Sequence, residues 1–198
     1  MKRKIYILIF LAVCANLTFA QTFKSDVSKR GTTAAPFLSI GQGARSTAMG
    51  SAFAGAANDV SSIYWNPAGL TKAEGFQMMF DHTIWIADVR YNYLAASYNI
   101  GDIGTIGLSF ISSNVGEMKV TTIDYPGGTG ETFTANDMAI SLAYAIQLTD
   151  KFSIGFNPKF IYQSIWKMSA TAFAIDMGVQ YLTPFDDAVL AMSISNFG

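Results

Sequence analysis

The stretch "FSIGFNPKFIYQ", Phe152 to Gln163, decides the fold because its residues alternate in size and polarity. Its apolar positions are Phe152, Ile154, Phe156, Pro158, Phe160 and Tyr162. The residues between them are small or polar, apart from Ile161. This alternation with period two predicts a β-strand with one apolar face and one small, polar face.

The same pattern recurs along the chain and gives seven predicted strands. It is clearest in "MAISLAYAIQL" (138–148) and "TAFAIDMGVQY" (171–181), begins at Phe76 and ends in a strand that starts near Ala188. Short connections ("GDIG", "TDK", "TPFDD") alternate with longer ones ("SSNVGEMKVTTIDYPGGTGETFTAND", "QSIWKMSA"). Short turns at one end and long loops at the other are typical of outer-membrane β-barrels. A soluble β-sandwich also alternates and is the alternative, but the Ser, Gly, Ala, Asn and Gln of the second face suit a barrel lumen.

Three residues stand out within these strands. Pro158 has no N–H for the ladder, so a bulge or kink is expected there, with a local gap in the barrel wall as its functional interpretation. Lys159 and Asp176 both point to the polar face on adjacent predicted strands. They are expected to pair, to line a polar lumen or to contact a segment inside it.

The N-terminus, "MKRKIYILIFLAVCANLTFAQ", reads as a secretory signal peptide. Basic residues precede a short apolar run, and Thr18 and Ala20 are the small residues that precede a cleavage site after Ala20. The apolar run is too short for a transmembrane helix. Cys14, the only cysteine, would leave with this peptide, so the mature chain has no disulfide or cysteine nucleophile.

Composition narrows the class of protein further. Charged residues are 14% of the chain, against roughly 25% in an ordinary soluble domain. Three of the 13 basic residues lie in the signal peptide while all 14 acidic residues follow it, so the mature chain is net acidic and no nucleic-acid partner is expected. An exported chain with little charge and no long apolar helix indicates a β-barrel of an outer membrane.

A segment rich in small residues precedes the strands: "FLSIGQGARSTAMGSAFAGAANDVSSIYWNPAGL" (37–70). Residues 44–57 are predicted to form a helix with Arg45, Met49 and Phe53 along one side, because these recur every four positions. Asn66 is expected to cap a short turn opened by Pro67.

This stretch resembles the N-terminal signature of the PorV/PorQ-type proteins, a branch of the FadL-like outer-membrane barrels. The resemblance implies that residues 41–70 form a plug inside the lumen, with Asn66, Pro67 and Ala68 as a rigid turn that Tyr64 and Trp65 anchor against the wall. The match runs through residues 43–45, 48–50, 52–53, 59 and 66–70. The candidate plug residues among them are Gly43, Ala44, Arg45, Met49, Gly50, Phe53, Asp59, Asn66, Pro67, Ala68, Gly69 and Leu70.

The expected fold is therefore mainly β: an antiparallel transmembrane barrel with an N-terminal helical plug. The expected organisation is a signal peptide (1–20), a plug segment (21–75) and the first strands of the barrel (76–198). Bacterial outer-membrane barrels close with an even number of strands, eight or more. Seven strands therefore suggest an N-terminal fragment that holds about half of a barrel.

Catalytic and metal-binding patterns are weak in this sequence. His82 is the only histidine and points to the apolar face, while its neighbour Asp81 points to the other. No His or Cys cluster has metal-ligand spacing, so neither metal nor cofactor is expected. The glycines of "GQGARSTAMG" lack the lysine of a phosphate-binding loop.

The resemblance implies a non-enzymatic outer-membrane protein associated with type IX secretion. Its implied partners are outer-membrane lipid and either secretion components or the C-terminal signals of secreted proteins. The alternative is FadL-like transport of long-chain fatty acids or other hydrophobic compounds, which predicts an apolar pocket beside the plug. A third hypothesis, an outer-membrane enzyme that acts on lipid, requires a serine or aspartate constellation that His82 does not supply.

Overall fold

The computed structural model of the protein describes residues 34–198. The predicted signal peptide, its cleavage site and the first part of the predicted plug segment lie outside the described residues. The strands are β1 (Phe76–Ile84), β2 (Arg90–Asn99), β3 (Thr105–Lys119), β4 (Thr132–Thr149), β5 (Phe152–Ile165), β6 (Met168–Leu182) and β7 (Val189–Phe197). The helices are α1 (Ala44–Ala48), α2 (Ser62–Trp65) and 3₁₀ turns at Pro36–Ser39, Pro67–Lys72, Ile86–Asp88 and Gly101–Ile103.

The seven strands form one antiparallel sheet in sequential order. Every pairing joins strands that follow one another in the chain. Within residues 34–198 the sheet is open, because β1 and β7 each pair with one strand only. This confirms the predicted mainly-β, antiparallel fold, and the open sheet is consistent with a partial barrel. No helix in the described part of the chain is long and apolar enough to cross a bilayer.

The two faces of the sheet differ as the alternation predicts. We call the seven strands the wall, and residues 35–75, which pack against one face of it, the plug. The face under the plug is the inner face, and its side chains on β2 to β6 are mostly buried. The outer face exposes a continuous apolar surface that includes Leu94, Leu108, Phe110, Ile140, Leu142, Phe156, Phe160, Phe173 and Met192.

The connections at one end of the sheet are shorter than the sequence suggested. β3 continues to Lys119 and β4 begins at Thr132, so the long loop is residues 120–131. Trp166 and Lys167 alone join β5 to β6, and Trp166 adopts a φ of 52° in this tight turn. The strands are longer than the apolar alternation suggests. Their backbones continue to pair through residues with polar side chains.

The bulge expected at Pro158 is absent. The pairs Ser141–Lys159 and Tyr144–Phe156 on its two sides keep one register between β4 and β5. Pro158 also stays in register with β6. The β4–β5 pairing is interrupted between those two pairs, where a proline cannot donate an N–H, while its register shift lies elsewhere, between Gln147 and Thr149.

The long helix predicted over residues 44–57 is also wrong. α1 ends at Ala48, and Gly50 and Ser51 follow with φ of 64° and 66°. The Gly50 N–H donates to the Thr47 carbonyl and the Ser51 N–H donates to the Ser46 carbonyl. These two bonds form a Schellman motif, which ends a helix where glycine can adopt left-handed angles.

Apolar side chains of the plug pack against the inner face of the wall. Plug residues Phe37, Leu38, Val60, Ile63 and Leu70 are buried in one cluster with wall residues Tyr91, Tyr93, Ile111 and Ile161. Full burial of one such side chain stabilises a fold by about 1.5–3 kcal/mol. This cluster holds the plug as part of the same compact unit as the sheet.

Candidate functional site: the plug–wall junction

The turn predicted at Asn66 forms as expected and lies at the centre of the junction. Asn66 is extended, and its Oδ1 accepts a hydrogen bond from the Ala68 N–H at 3.1 Å. Pro67 then opens the 3₁₀ turn as its first residue. The side chain of Asn66 thus satisfies one of the free donors at the start of that turn. Asn66, Pro67, Ala68, Gly69 and Leu70 are all buried.

Two glycines of the wall create the space into which this turn fits. Gly155 of β5 and Gly178 of β6 lie directly opposite each other, and we call this pair the glycine notch. A Cβ atom on Gly155 would lie 2.3 Å from the carbonyl carbon of Pro67. A Cβ atom on Gly178 would lie 1.9 Å from Oδ1 of Asn66. Only glycine at these two positions allows the plug backbone to approach the sheet this closely.

Amide side chains fasten the turn to the notch. Nδ2 of Asn66 donates to the carbonyls of Ala54 (3.0 Å) and Val179 (3.2 Å). From the wall, Nε2 of Gln180 donates to the carbonyls of Ala54 and Ala57, both at 3.0 Å. The plug loop that ends at Ala57 is therefore tied to both the turn and β6.

A buried ion pair lies one step further along the same strands. Nζ of Lys159 is 2.7 Å from Oδ2 of Asp176, and the two side chains are 4% and 1% exposed. Nδ2 of Asn157 donates to Asp176 (3.0 Å) and to the carbonyl of plug residue Ile63 (3.1 Å). The Asn196 N–H donates to Asp176 (2.8 Å), and Lys159 donates to Oδ1 of Asn196 (2.8 Å). The structure thus brings together the two charges that the alternation placed on the inner face, and Asn157 connects them to the plug.

Tyr64 and Trp65 do more within the plug than against the wall. The Tyr64 hydroxyl lies within hydrogen-bonding distance of the carbonyls of Leu38 (2.8 Å) and Ile40 (2.9 Å). Nε1 of Trp65 donates to the carbonyl of Gln42 at 2.8 Å. These bonds hold the start of the plug against the residues that precede its Asn-Pro turn. Tyr64 also contacts the wall, as expected.

The ring of Tyr64 links the plug to both the wall and the ion pair. It packs edge-on against Tyr93 of β2, with 6.2 Å between ring centroids. Nζ of Lys159 lies 5.9 Å from its centroid. Burial raises the pKa of the Tyr64 hydroxyl, and the negative charge of Asp176 raises it further. Tyr64 therefore remains a neutral hydrogen-bond donor throughout the physiological pH range.

The start of α1 is held by a carboxylate from the wall. Gly43, the residue before α1, has a φ of 88° and donates its N–H to Oδ2 of Asp81 at 2.6 Å. Ala44 follows as the first residue of α1. Val60 is tied to the same strand, because its N–H donates to Oε1 of Gln77 at 3.0 Å. Strand β1 thus holds two separate points of the plug.

The other predicted plug residues form a more exposed group. Nη1 of Arg45 donates to Asn58 (3.0 Å) and Asp59 (3.2 Å), while its guanidinium lies 5.1 Å from the ring centroid of Phe53. Phe53 is buried, whereas Met49 is exposed. Because Arg45 and Asp59 are both partly exposed, their ion pair adds about 0–1 kcal/mol at most.

Sequence reasoning missed several residues of this junction: Asp81, Gly155, Asn157, Gly178 and Gln180. A signal for them existed, since all five occupy inner-face positions of their strands. The alternation could place them on that face but could not name their plug partners, because those partners are distant in sequence. From the sequence, Gly155 and Gly178 could be identified only as small residues of the inner face.

A pocket of about 300 Å³ lies beside the plug. Its lining combines Leu38, Ser39, Ser51, Ala54, Tyr64, Trp65, Lys159, Ser193, Ser195 and Asn196. This lining is mixed in polarity and includes the buried ion pair's lysine. His82 lies outside this junction, on the outer face, where Nδ1 is 2.7 Å from Oδ1 of Asn92. Within residues 34–198 no cluster of three His, Cys, Asp or Glu side chains could hold a metal ion.

A comparison with protein families gives one match that covers most of the chain. The family model described as "Type IX secretion system protein PorV" matches residues 23–182. The match includes the whole plug, the Asn-Pro turn and the wall through β6. No curated protein matches the chain.

Proposed function

Since the chain belongs to the PorV family of type IX secretion system proteins, we propose that it is a non-enzymatic β-barrel protein of the outer membrane that serves type IX secretion. The observation that carries this proposal is the contrast between the two faces of the sheet. The outer face exposes large apolar side chains on every strand, while the inner face is mostly small or polar, apart from Tyr91, Tyr93, Ile111 and Ile161. A sheet with lipid on one side and a lumen on the other has this arrangement.

The dimensions of the strands support a position in a bilayer. β6 has 15 residues. At about 3.3 Å per residue and a tilt of about 40°, such a strand rises roughly 38 Å, which exceeds the apolar band of about 25 Å of an outer-membrane barrel.

Aromatic residues lie toward both ends of this outer face. Tyr98, Tyr144 and Tyr181 lie toward the end of the sheet that holds the turns at residues 100–104, 150–151 and 183–188. Trp85 and Trp166 lie at hairpin tips of the opposite end. Girdles of this kind mark the two membrane interfaces.

The proposed partners follow from the family and from the outer face. The apolar surface would contact outer-membrane lipid. Family membership supports a role with other secretion components or with the C-terminal signals of secreted proteins. A nucleic-acid partner is not proposed, because the part of the chain after the predicted signal peptide is net acidic.

Transport of hydrophobic compounds remains the alternative prediction, but no specific contact favours it. That function calls for an apolar pocket beside the plug. The pocket there contains four serines, Asn196 and Lys159 besides its aromatic residues. We therefore do not propose a fatty-acid ligand for it.

The test uses the full-length protein in its own host and in detergent. Unheated and boiled samples are compared on a gel for the mobility shift of a folded barrel, and secretion of a type IX substrate is measured in a deletion strain complemented with the gene. A heat-modifiable band and restored secretion are the expected results. A protein that shows no mobility shift and is recovered from the soluble fraction would overturn the proposal. Unchanged secretion in the deletion strain would overturn the secretion role alone.

A further inference from the structure

The outer face of the wall changes from apolar to polar at one level across strands β1 to β6. The register of the strands orders the outer side chains into rows that cross the sheet. The last apolar row is Phe80, Leu94, Phe110, Ile140, Phe160 and Phe173. The next two rows toward the long-loop end, which we call the polar rows, are His82, Asn92, Ser112, Met138, Tyr162 and Thr171, and then Ile84, Arg90, Asn114, Asn136, Ser164 and Ser169. All but Met138 and Ile84 carry a polar nitrogen or oxygen.

This change of polarity lies where the edge of a membrane is expected. On β6 the outer positions from Tyr181 to Phe173 hold aromatic, aliphatic or methionine side chains. At about 3.3 Å per residue and a tilt of about 40°, they rise roughly 20 Å, which nearly fills an apolar band of about 25 Å. Trp85 and Trp166 follow directly after the polar rows, and tryptophan favours the membrane–water interface. The polar rows therefore lie at the level of lipid headgroups, on the side that carries the longer loops and faces the cell exterior in such barrels.

One cation without a partner lies in the polar rows. Arg90 is exposed, and within residues 34–198 it forms no ion pair, not even with Asp88 in the preceding turn. The polar rows and the apolar row before them hold no other Lys or Arg and no Asp or Glu. A phosphate that approached this part of the outer face would therefore meet a positive charge and no carboxylate on these rows.

Hydrogen-bonding groups flank Arg90 on the same face. Asn92 is two residues further along β2, about 7 Å away, and its Oδ1 lies 2.7 Å from Nδ1 of His82. This contact leaves Nδ2 of Asn92 available as a donor. In the row of Arg90, Nδ2 of Asn114 donates to Oδ1 of Asn136, and serines follow on β5 and β6. Amides and hydroxyls in a line are suited to the hydroxyl groups of a sugar, which both donate and accept hydrogen bonds.

We infer that the polar rows bind the headgroup of a phosphorylated glycolipid in the outer leaflet, with Arg90 and Asn92 on its phosphate. This inference rests on the proposed outer-membrane barrel. A guanidinium binds phosphate through two parallel N–H groups, which is the geometry that a single arginine offers. The sugar then lies along Asn114 and Asn136, and the acyl chains lie against the apolar rows. The charge of Arg90 and the continuity of the polar rows with the apolar surface together favour a lipid over a soluble anion.

The experiment measures lipid binding to the folded full-length protein in detergent by native mass spectrometry. The probes are bisphosphorylated lipid A, the same lipid after enzymatic removal of its phosphates, and inorganic phosphate. We expect the phosphorylated lipid to bind about tenfold more tightly than the dephosphorylated one, since a hydrogen-bonded ion pair with the phosphate is lost. Inorganic phosphate at the concentration of the lipid should not displace it, because it makes no contact with the apolar rows.

Two substitutions of equal charge separate this site from general attraction to a basic protein. Arg90→Gln should lower the affinity for phosphorylated lipid A about tenfold, to the level of the dephosphorylated lipid. Lys151→Gln is the matched control, because Lys151 is also exposed but lies in the turn between β4 and β5 at the opposite end of the sheet. It should bind like wild type. Asn92→Asp, which places a carboxylate beside Arg90, is a second variant that should weaken binding several-fold while Arg90 stays in place.

Three results would overturn the inference. One is equal affinity of Arg90→Gln and Lys151→Gln for phosphorylated lipid A, and another is equal binding of the two lipids by wild type. The third is full displacement of the lipid by inorganic phosphate, which would make the site one for a free anion. The gel mobility shift of the same samples separates these results from failure of the proposed function: a heat-modifiable protein that does not distinguish the lipids loses this site alone, whereas a protein without the shift loses the barrel itself.

Discussion

Single glycines of the wall fix how closely the plug can approach it. We predict that Gly178→Ala will lower the free energy of unfolding by about 1–3 kcal/mol, because the added methyl group overlaps the side chain of Asn66 and the site is already close-packed. Urea unfolding of the folded protein in detergent micelles measures this change. Gly116→Ala is the control and should leave stability unchanged or slightly higher, since it removes backbone freedom without a clash. Equal stabilities of the two variants would contradict the close contact at the notch.

The buried pair Lys159–Asp176 predicts a larger effect from one substitution than from two. Lys159→Met leaves the carboxylate of Asp176 buried without its cation and should cost about 3–5 kcal/mol. The double variant Lys159→Met/Asp176→Leu removes both charges and should recover a substantial part of that loss. Urea unfolding of both variants and wild type gives the comparison. If the double variant is less stable than Lys159→Met, this prediction is contradicted, and the ion pair makes a net contribution to the free energy of unfolding.

Among single elements, the strands could be predicted from sequence and the plug only in part. Alternation along "FSIGFNPKFIYQ" correctly separates the two faces of β5, because successive side chains of a strand point to opposite faces of the sheet. The helix over residues 44–57 failed for a local reason: the spacing of Arg45, Met49 and Phe53 fits a helix, but Gly50 and Ser51 take left-handed angles that end it. The Asn66 cap was predictable because the residues that form it are neighbours in the chain.

The Asn-Pro turn is the element whose substitution separates capping from docking. Asn66→Ala removes both the cap to Ala68 and the amide bonds to Ala54 and Val179, and should cost at least the roughly 0.5–2 kcal/mol of a lost cap. Asn66→Ser keeps a cap oxygen but not the amide donors, so its loss should be smaller. Both are compared with wild type by urea unfolding.

Asn58→Ala serves as the control for this pair of substitutions. Its side chain is exposed, and its hydrogen bond within the described residues is the one it accepts from Arg45. Its stability should therefore stay within about 0.5 kcal/mol of wild type. A loss of the same size in Asn58→Ala and Asn66→Ala would mean that the Asn-Pro turn does not help to attach the plug.

At the scale of the whole molecule, a position in a bilayer predicts that a charged substitution is tolerated less well on the outer face of the sheet than in a loop. Leu142 on the outer face of β4 and Ile123 in the loop at residues 120–131 are both exposed aliphatic side chains. In water an arginine would be tolerated equally well at either position. In a bilayer, an arginine on the lipid-facing side near the midplane costs about 2–4 kcal/mol, while one near the interface costs about 0–1. We therefore predict that Leu142→Arg lowers the heat-modifiable fraction and the free energy of unfolding in lipid vesicles, whereas Ile123→Arg leaves both unchanged. Equal folding of the two variants in vesicles would indicate that water, and not lipid, covers the outer face. The protein would then be the soluble β-sandwich that the alternation of residues alone does not exclude.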